Sequence, residues 1–161
     1  MDPASYPYLP EGRSFLYVEE GNPFMQEAKG YALAHSIDHT VKTGSVVVLG
    51  GAIVGRGANG SDWHDTHPCE RARLGIPTGE RYDLCEGCHS KNHSEVRAVA
   101  DAARTGADLS DAELYLWGHW WACEPCWDAI EAAGIPRVYL VEGSERLFNK
   151  QHPDNILGTY A

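Results

Sequence analysis

The chain has 161 residues, 43% of them hydrophobic, and its formal net charge is −10. This length suits one domain with a packed core, and the acidic balance argues against a surface that holds a long phosphate backbone. The sequence shows no apolar stretch near the roughly 20 residues of a membrane span and no signal-peptide pattern. The five cysteines all lie between residues 69 and 126. Because their number is odd and no signal-peptide pattern is present, we expect a cytoplasmic protein whose thiols bind metal or act in catalysis.

The N-terminal residues differ in pattern from the rest of the chain. We predict that residues 1–21 form an arm that lies against the domain and contains one short strand-like run at 15–18. Residues 22–161 are predicted to form the single domain. Its first helix begins with Asn22 as N-cap, followed by Pro23, which is favoured at the first helical position.

A hairpin and a long loop follow the first helix. Two β-rich runs, 45–49 and 52–55, flank Gly50-Gly51, which is typical of a tight β-turn. Residues 60–92 are irregular and rich in histidine and cysteine, so we expect this loop to be functional or held by a ligand. The remaining predicted elements alternate: a helix over 93–104, a strand over 114–118, a helix over 123–134 and a strand over 137–141. This alternation predicts an α/β protein with helices packed on the faces of a sheet.

A glycine pattern at residues 55–60 also calls for interpretation. The run Gly-Arg-Gly-Ala-Asn-Gly matches the G-x-G-x-x-G fingerprint of dinucleotide-binding domains. That fingerprint must open a helix, whereas residues 61–65 show no apolar periodicity. We therefore reject a dinucleotide site here.

Two motifs carry the chemistry of the chain. His93-Ser94-Glu95 opens one predicted helix, and Cys123-Glu124-Pro125-Cys126 opens the next. A catalytic zinc takes three protein ligands and keeps a fourth position open, and His93, Cys123 and Cys126 supply three. Each motif by itself has an ordinary interpretation, as a solvated helix face or as a redox pair. Together they predict a zinc site in which Glu95 transfers protons without ligating the metal.

Three further thiols lie in the long loop and suggest a second metal site. Cys69, Cys85 and Cys88, with one loop histidine, would complete a closed tetrahedral zinc set. We take His67 as the fourth ligand from three candidates, His64, His67 and His89. The alternative is that these thiols are reduced, without a ligand, and packed as small hydrophobic groups.

These motifs resemble the cytidine and deoxycytidylate deaminase superfamily, most closely its deoxycytidylate branch. The resemblance runs from about Asn22 to Val141 and includes the strand pair that ends at Asn59-Gly60 and the run 74–85. It implies a three-layer α/β/α fold with a mixed central sheet and a homo-oligomer; many members of the family are regulated by dCTP and dTTP, and the sequence leaves regulation of this chain open. The chain departs from the family pattern at several positions: Ser94, Arg97, Ala122, the Trp120-Trp121 pair and an insertion that introduces Cys88.

Four residues outside the metal sets are candidates for substrate binding. The resemblance assigns Asn59 to the sugar or base, although a turn role is an equal alternative. Arg81, from a cluster with Arg71 and Arg73, is predicted to bind phosphate, the alternative being an exposed arginine. Trp120 and Trp121 are predicted to stack on a pyrimidine or close the pocket, although such pairs more often belong to a core or an interface.

The resemblance implies zinc-dependent hydrolytic deamination of a pyrimidine nucleotide, dCMP to dUMP, with release of ammonia. One alternative is a deaminase of cytosine or adenine in single-stranded nucleic acid or tRNA, which the acidic balance disfavours. A second alternative is a catalytically silent, zinc-stabilised binding module. The intact Glu95 argues against that second alternative.

Overall fold

A five-stranded mixed sheet forms the middle layer of the protein. A computed structural model describes residues 7–77 and 80–160, so the first six residues of the predicted arm and Thr78-Gly79 lie outside the described residues. The strands are β1 (Leu16–Val18), β2 (Gly44–Leu49), β3 (Ala52–Ala58), β4 (Glu113–Trp117) and β5 (Arg137–Val141). Their spatial order is β1-β5-β4-β2-β3. β2 pairs antiparallel with β3 and β4, whereas β5 pairs parallel with β4 and β1.

Helices cover both faces of the sheet. The helices are α1 (Pro23–His35), α2 (Trp63–Thr66), α3 (Glu70–Arg73), α4 (Ser94–Ala103), α5 (Glu124–Ala133) and α6 (Ser144–Phe148). On one face α1 and Phe148 of α6 pack against β2 and β4. On the other face α4 and α5 form a second apolar core with the opposite side chains of the same strands. The three-layer α/β/α fold with a mixed central sheet is thereby confirmed.

Several element boundaries coincide with local sequence signals. Asn22 accepts hydrogen bonds from the backbone N–H groups of Phe24 and Met25 at 3.0 and 3.2 Å, which satisfies donors that a helix start leaves unpaired. Gly134 adopts a left-handed conformation at the C-cap of α5, with φ of 77°, where glycine is favoured. The predicted hairpin around Gly50-Gly51 is confirmed by the pairing of β2 with β3.

The N-terminal segment contributes to the sheet itself. Leu16 to Val18 pair in parallel with residues 139–141 of β5. We expected an arm lying against the domain, and this part of it is instead an edge strand. The reason is that β5 would otherwise expose one row of unpaired backbone groups, and the short run supplies their partners.

A glycine contact sets the position of α4, the helix that begins beside the predicted metal ligands. A Cβ at Gly57 of β3 would overlap the carbonyl oxygen of Ser94 and lie 2.5 Å from the backbone nitrogen of Ala98. The glycines of the rejected dinucleotide pattern therefore include one that lets a helix approach a strand closely. This packing places the first turn of α4 directly over β3.

We expect Gly57→Ala to destabilise the protein by about 1–3 kcal/mol, because the added methyl group pushes α4 off β3. Gly30→Ala is the matched control, since Gly30 lies inside α1 with nothing within 4 Å of its added Cβ. That substitution should stabilise the protein by about 0.5–1 kcal/mol through helix propensity. Chemical denaturation of both variants measures the difference, and equal effects of the two substitutions would contradict the close approach.

Candidate functional site

Two helix N-termini meet at the predicted metal site. His93 is the N-cap of α4, and Cys123 is the N-cap of α5. Cys126 lies in the first turn of α5, where Pro125 is tolerated because the early amides of a helix have no intrahelical partners. The unpaired amides and dipoles of both helices favour negative charge at this point. The thiolate form is favoured at Cys123, whose pKa is lowered by the hydrogen bond with Cys126, whereas burial raises the pKa of the Cys126 thiol.

The three predicted ligand atoms form a compact triangle. His93 Nδ1 lies 3.3 Å from Cys126 Sγ and 3.4 Å from Cys123 Sγ, and the two sulfurs are 3.0 Å apart. A tetrahedral zinc holds such atoms about 3.5–3.8 Å apart, so side-chain movements of under about 1 Å would complete the coordination. One imidazole with two thiols is also a donor set that zinc prefers. The residues therefore fit a zinc ion.

The hydrogen bond on the far side of His93 determines which ring nitrogen faces the thiols. His93 Nε2 lies 3.2 Å from the backbone carbonyl oxygen of Cys88. Because a carbonyl oxygen can only accept, Nε2 carries the proton and Nδ1 presents its lone pair to the thiols. The edge of Tyr82 packs against the same ring, with centroids 4.7 Å apart.

Glu95 lies beside the triangle in a buried position. The Cys126 thiol donates a hydrogen bond to Glu95 Oε2 at 3.1 Å, and Glu95 is 5% exposed. Burial raises the pKa of the Glu95 carboxyl, so this group holds a proton more readily than an exposed glutamate does. The hydrogen bond between the sulfurs of Cys123 and Cys126 lowers the pKa of the Cys123 thiol. A proton carrier and a stabilised thiolate thus lie side by side.

A cavity of about 420 Å³ opens above this group, within the range of small-molecule sites. His93, Glu95, Cys123 and Cys126 lie among its lining residues, and so do three of the predicted substrate contacts, Asn59, Trp120 and Trp121. Trp121 is 4% exposed and belongs to the apolar core beside α5. The tryptophan pair is thus both core and cavity wall.

The side chain of Asn59 makes its hydrogen bonds mainly to other residues of the protein. Its Oδ1 accepts from Ser36 Oγ at 2.6 Å and from the backbone N–H of Thr43 at 2.9 Å. Its Nδ2 donates to the carbonyl of Val41 at 2.7 Å. Asn59 therefore holds residues 36–43 against the cavity, and one Nδ2 hydrogen is left for a ligand.

The prediction for Arg81 is wrong. Its guanidinium makes two hydrogen bonds to the carboxylate of Asp83, both at 3.0 Å, and Arg81 is not among the lining residues of the cavity. Two other cations border it instead: Arg71, from the same predicted cluster, and Lys150, which we did not predict. Arg71 donates to the carbonyl of Glu80 at 2.9 Å and is buried, whereas Lys150 is exposed at the rim.

The loop thiols also come together, with a different histidine from the one predicted. The ligand atoms of Cys69, Cys85, Cys88 and His64 all lie within 4.8 Å of one another. The choice of His67 is wrong because its ring stacks flat on Trp63 with centroids 3.7 Å apart. Position 67 follows the last residue of α2, where the extended backbone turns the ring away.

Two departures from the family pattern have structural roles. Ser94 is fully buried, and its hydroxyl makes a 2.9 Å hydrogen bond with that of Ser45 on β2. Arg97 donates to the carbonyl of Ala58 at 2.8 Å and to Asn92 Oδ1 at 3.0 Å. Both contacts tie the first turns of α4 to the strands beneath. The sequence analysis identified Ser94 and Arg97 only as departures from the family pattern and did not predict these contacts.

The fold and the ligand triangle with its buried carboxyl define a zinc hydrolase of the deaminase type. The family model for the cytidine and deoxycytidylate deaminase zinc-binding region matches residues 18–142. The chain belongs to this family and is a zinc-dependent hydrolytic deaminase. A search of curated proteins found no match to the chain.

Solved structures of several deaminases are similar to the chain. The dCMP deaminase of cyanophage S-TIM5 shares 22% identity over 73% of this chain and 78% of its own, with a TM-score of 0.47. A diaminohydroxyphosphoribosylaminopyrimidine deaminase/reductase of Thermotoga maritima shares 24% over 73% of this chain and 28% of its own, with a TM-score of 0.47. The guanine deaminase of Bacillus subtilis shares 26% identity over 61% of this chain and 48% of its own, with a TM-score of 0.38.

Within residues 7–77 and 80–160, no helix has the length and apolar character needed to span a membrane.

Proposed function

We propose that the protein deaminates a pyrimidine nucleotide, converting dCMP to dUMP with release of ammonia. The observation that carries this proposal is the buried Glu95 carboxyl, 3.1 Å from Cys126 Sγ, beside the ligand triangle that the cavity exposes. A carboxyl group in this position can exchange protons with a substrate ring that enters the cavity. A silent binding module would have no use for a carboxyl buried next to the ligand thiols.

His93, Cys123 and Cys126 would hold the zinc ion, which when bound supplies the Lewis acidity that makes water nucleophilic near neutral pH. Glu95 takes a proton from the attacking water and delivers it to the ring nitrogen next to the amino-bearing carbon. It then takes the second proton from the hydroxyl group now on that carbon and passes it to the exocyclic amine, so that the C–N bond breaks, the C–O bond becomes a carbonyl and ammonia leaves. The raised pKa of Glu95 favours both protonation steps.

The charges at the cavity support a mononucleotide as substrate. Lys150 lies at the rim, and no carboxylate among the described residues forms an ion pair with its ammonium group. An unpaired cation beside a cavity is suited to a phosphate. Asp38 and Asp65 line the same cavity, and the whole chain carries a charge of −10. Both the carboxylates at the cavity and the negative charge of the whole chain would repel a long polyanion.

The substrate class is tested by following ammonia release from dCMP, deoxycytidine, cytosine, guanine and a cytosine-bearing oligonucleotide. We expect kcat/KM to be highest for dCMP. Faster turnover of the oligonucleotide would favour the nucleic-acid alternative, and faster turnover of a free base would remove the phosphate from recognition.

We expect Lys150→Ala to raise KM for dCMP by about 10-fold, because it removes one charge-assisted contact with the phosphate. KM for deoxycytidine, which has no phosphate, should stay within about 2-fold of its original value. Arg81→Ala is the matched control, since Arg81 is bound to Asp83 away from the cavity. Steady-state kinetics on both substrates decides the matter, and equal changes for dCMP and deoxycytidine would rule out a phosphate contact.

We further propose that the chain works as a homo-oligomer in a reducing, cytoplasmic compartment. All five cysteines carry free thiols, which supports the compartment. Leu16 and Tyr17 of the edge strand β1 are 41% and 55% exposed, which supports a contact with another chain. Light scattering of the purified chain measures the oligomeric state.

A further inference from the structure

The loop between β3 and α4 gathers four metal-binding side chains from separate positions. His64 comes from α2, Cys69 precedes α3, and Cys85 and Cys88 flank the turn before α4. His64 Nε2 lies 3.1 Å from Cys85 Sγ and 4.0 Å from Cys88 Sγ, and the sulfurs of Cys69 and Cys88 are 3.6 Å apart. Three sulfurs and one imidazole complete a tetrahedral coordination, which leaves no open position.

The residue between the two neighbouring cysteines makes room for the imidazole. A Cβ at Gly87 would lie 2.7 Å from His64 Nε2 and 2.8 Å from Cε1. These distances are too short for any side chain to fit without displacing the ring. The backbone of the C-x-x-C turn therefore lies directly against the ring, and only a glycine allows His64 to reach both flanking sulfurs.

A buried cation lies beside the cluster. Arg71 is 9% exposed and contacts the Cys88 thiol through its guanidinium group. The same guanidinium lies over the ring of Tyr82, 4.4 Å from its centroid. Three thiolates around one divalent zinc leave a net charge of −1, which the arginine neutralises.

The geometry favours metal over a disulfide between the loop thiols. A disulfide requires an S–S distance of about 2.05 Å, whereas the Cys69 and Cys88 sulfurs lie 3.6 Å apart. A bond between them would also leave Cys85 and His64 without a role, although these two make the shortest contact of the cluster.

The loop cluster is connected to the catalytic centre by one hydrogen bond. Cys88 supplies its thiol to the cluster and its backbone carbonyl to His93 Nε2, at 3.2 Å. Partners that orient a ligand imidazole strengthen metal binding, and their loss typically costs about 10–100-fold in affinity or activity. A metal that fixes the Cys88 thiol also restricts the backbone carbonyl of the same residue.

We propose that His64, Cys69, Cys85 and Cys88 bind a second, closed zinc ion, and that this ion positions His93 through the Cys88 carbonyl. The Cys88 backbone acts here as a positioning group, because it touches a ligand of the catalytic zinc and not the substrate. The proposal concerns metal binding and holds whichever substrate the enzyme uses.

Zinc content of the full chain, purified without chelator, tests the second site. We expect two zinc ions per native chain and one in His64→Ala. His67→Ala is the matched control, because His67 lies three residues further on and outside the cluster, and it should retain two. In the native protein, thiol reagent should react with none of the three loop cysteines until zinc is removed. One zinc per native chain with Cys69 and Cys88 reactive, or a Cys69–Cys88 disulfide found by mass spectrometry, would overturn the proposal.

Competition with a chromogenic chelator tests the connection to His93. In His64→Ala the remaining zinc should bind about 10-fold or more weakly than the catalytic zinc of the native chain. Gly87→Ala keeps all four ligands but displaces the His64 ring, so it should lower the zinc count or the affinity in the same direction, and it covers the case in which His64→Ala fails to fold. Unchanged affinity of the catalytic zinc in a folded one-zinc variant would show that the two sites are independent.

Discussion

Glu95→Gln is expected to lower kcat by roughly 10³–10⁴-fold while zinc content and folding stay unchanged. General acid–base groups contribute about 10²–10⁴-fold, and a carboxyl used for two successive proton transfers belongs at the upper end. Glutamine preserves the shape of the side chain and can still accept the hydrogen bond from Cys126, but it cannot carry the proton. Stopped assays of ammonia release and elemental analysis on the same sample measure both effects.

Glu124→Gln is the matched control for this variant. Glu95 and Glu124 each lie in the first turn of a ten-residue helix, so both substitutions remove one carboxylate from a helix N-terminus and cost about 0.3–1 kcal/mol of stability. Glu124 is exposed and is not among the residues that line the cavity. Its variant should keep full activity. If Glu95→Gln retained near-normal turnover, the proton-transfer role would be wrong, and loss of zinc would instead make Glu95 a ligand.

The grouping of the candidate zinc ligands with Glu95 could be predicted because the spacing of these residues is encoded locally. His93 and Glu95 start one helix, and Cys123 and Cys126 start another, and helix starts are marked by short-range signals such as caps and proline. The chain enters α4 after β3 and α5 after β4, and β2 pairs antiparallel with both strands, so β3 and β4 end at the same edge of the sheet and the two helices start there. Local pattern and topology therefore lead to the same three ligands.

The loop could be predicted only in part, because no periodic pattern governs its side chains. The three thiols were identified by residue type, whereas the choice between His64 and His67 depends on the one-turn helix α2 and on stacking with Trp63. Neither feature leaves a signal in the sequence. A C-x-G-C turn with its glycine against a ring offered the one indirect hint, since Gly87 is what allows a bulky ligand to approach.

The candidate substrate contacts depend on tertiary structure more than the candidate zinc ligands do. Arg81 and Lys150 are both basic residues in irregular segments, and the sequence does not show which of them faces the cavity. Arg81 turns back onto Asp83, two residues away, an ordinary local pairing for exposed charges. Lys150 reaches the rim because α6 ends beside the cavity. The sequence analysis favoured Arg81, which lies in the run 74–85 that resembles the family. The fold instead places Lys150 at the cavity.

Cys126→Ser is expected to remove one zinc ion per chain and to lower activity by roughly 10⁴-fold or more, since Lewis acid and proton-transfer contributions are lost together. Cys126 is 1% exposed and contacts Cys123, His93 and Glu95 at once, and a hydroxyl is a poor ligand for zinc beside a thiolate. Cys126 belongs to the apolar core around α5, but the serine side chain has nearly the same shape, so the fold should persist.

The reciprocal variant, Cys69→Ser, makes the same sulfur-to-oxygen change in the loop cluster and separates the two metals. It should also remove one zinc ion, yet leave measurable activity, because the ligands of the catalytic zinc remain and only the support of His93 is weakened. Thermal unfolding by circular dichroism, zinc content and ammonia release on each variant distinguish the cases. If Cys126→Ser kept its full zinc content, the ligand triangle of His93, Cys123 and Cys126 would be the wrong assignment, since each of the three atoms lies within 3.4 Å of the other two and none can be removed without opening the site.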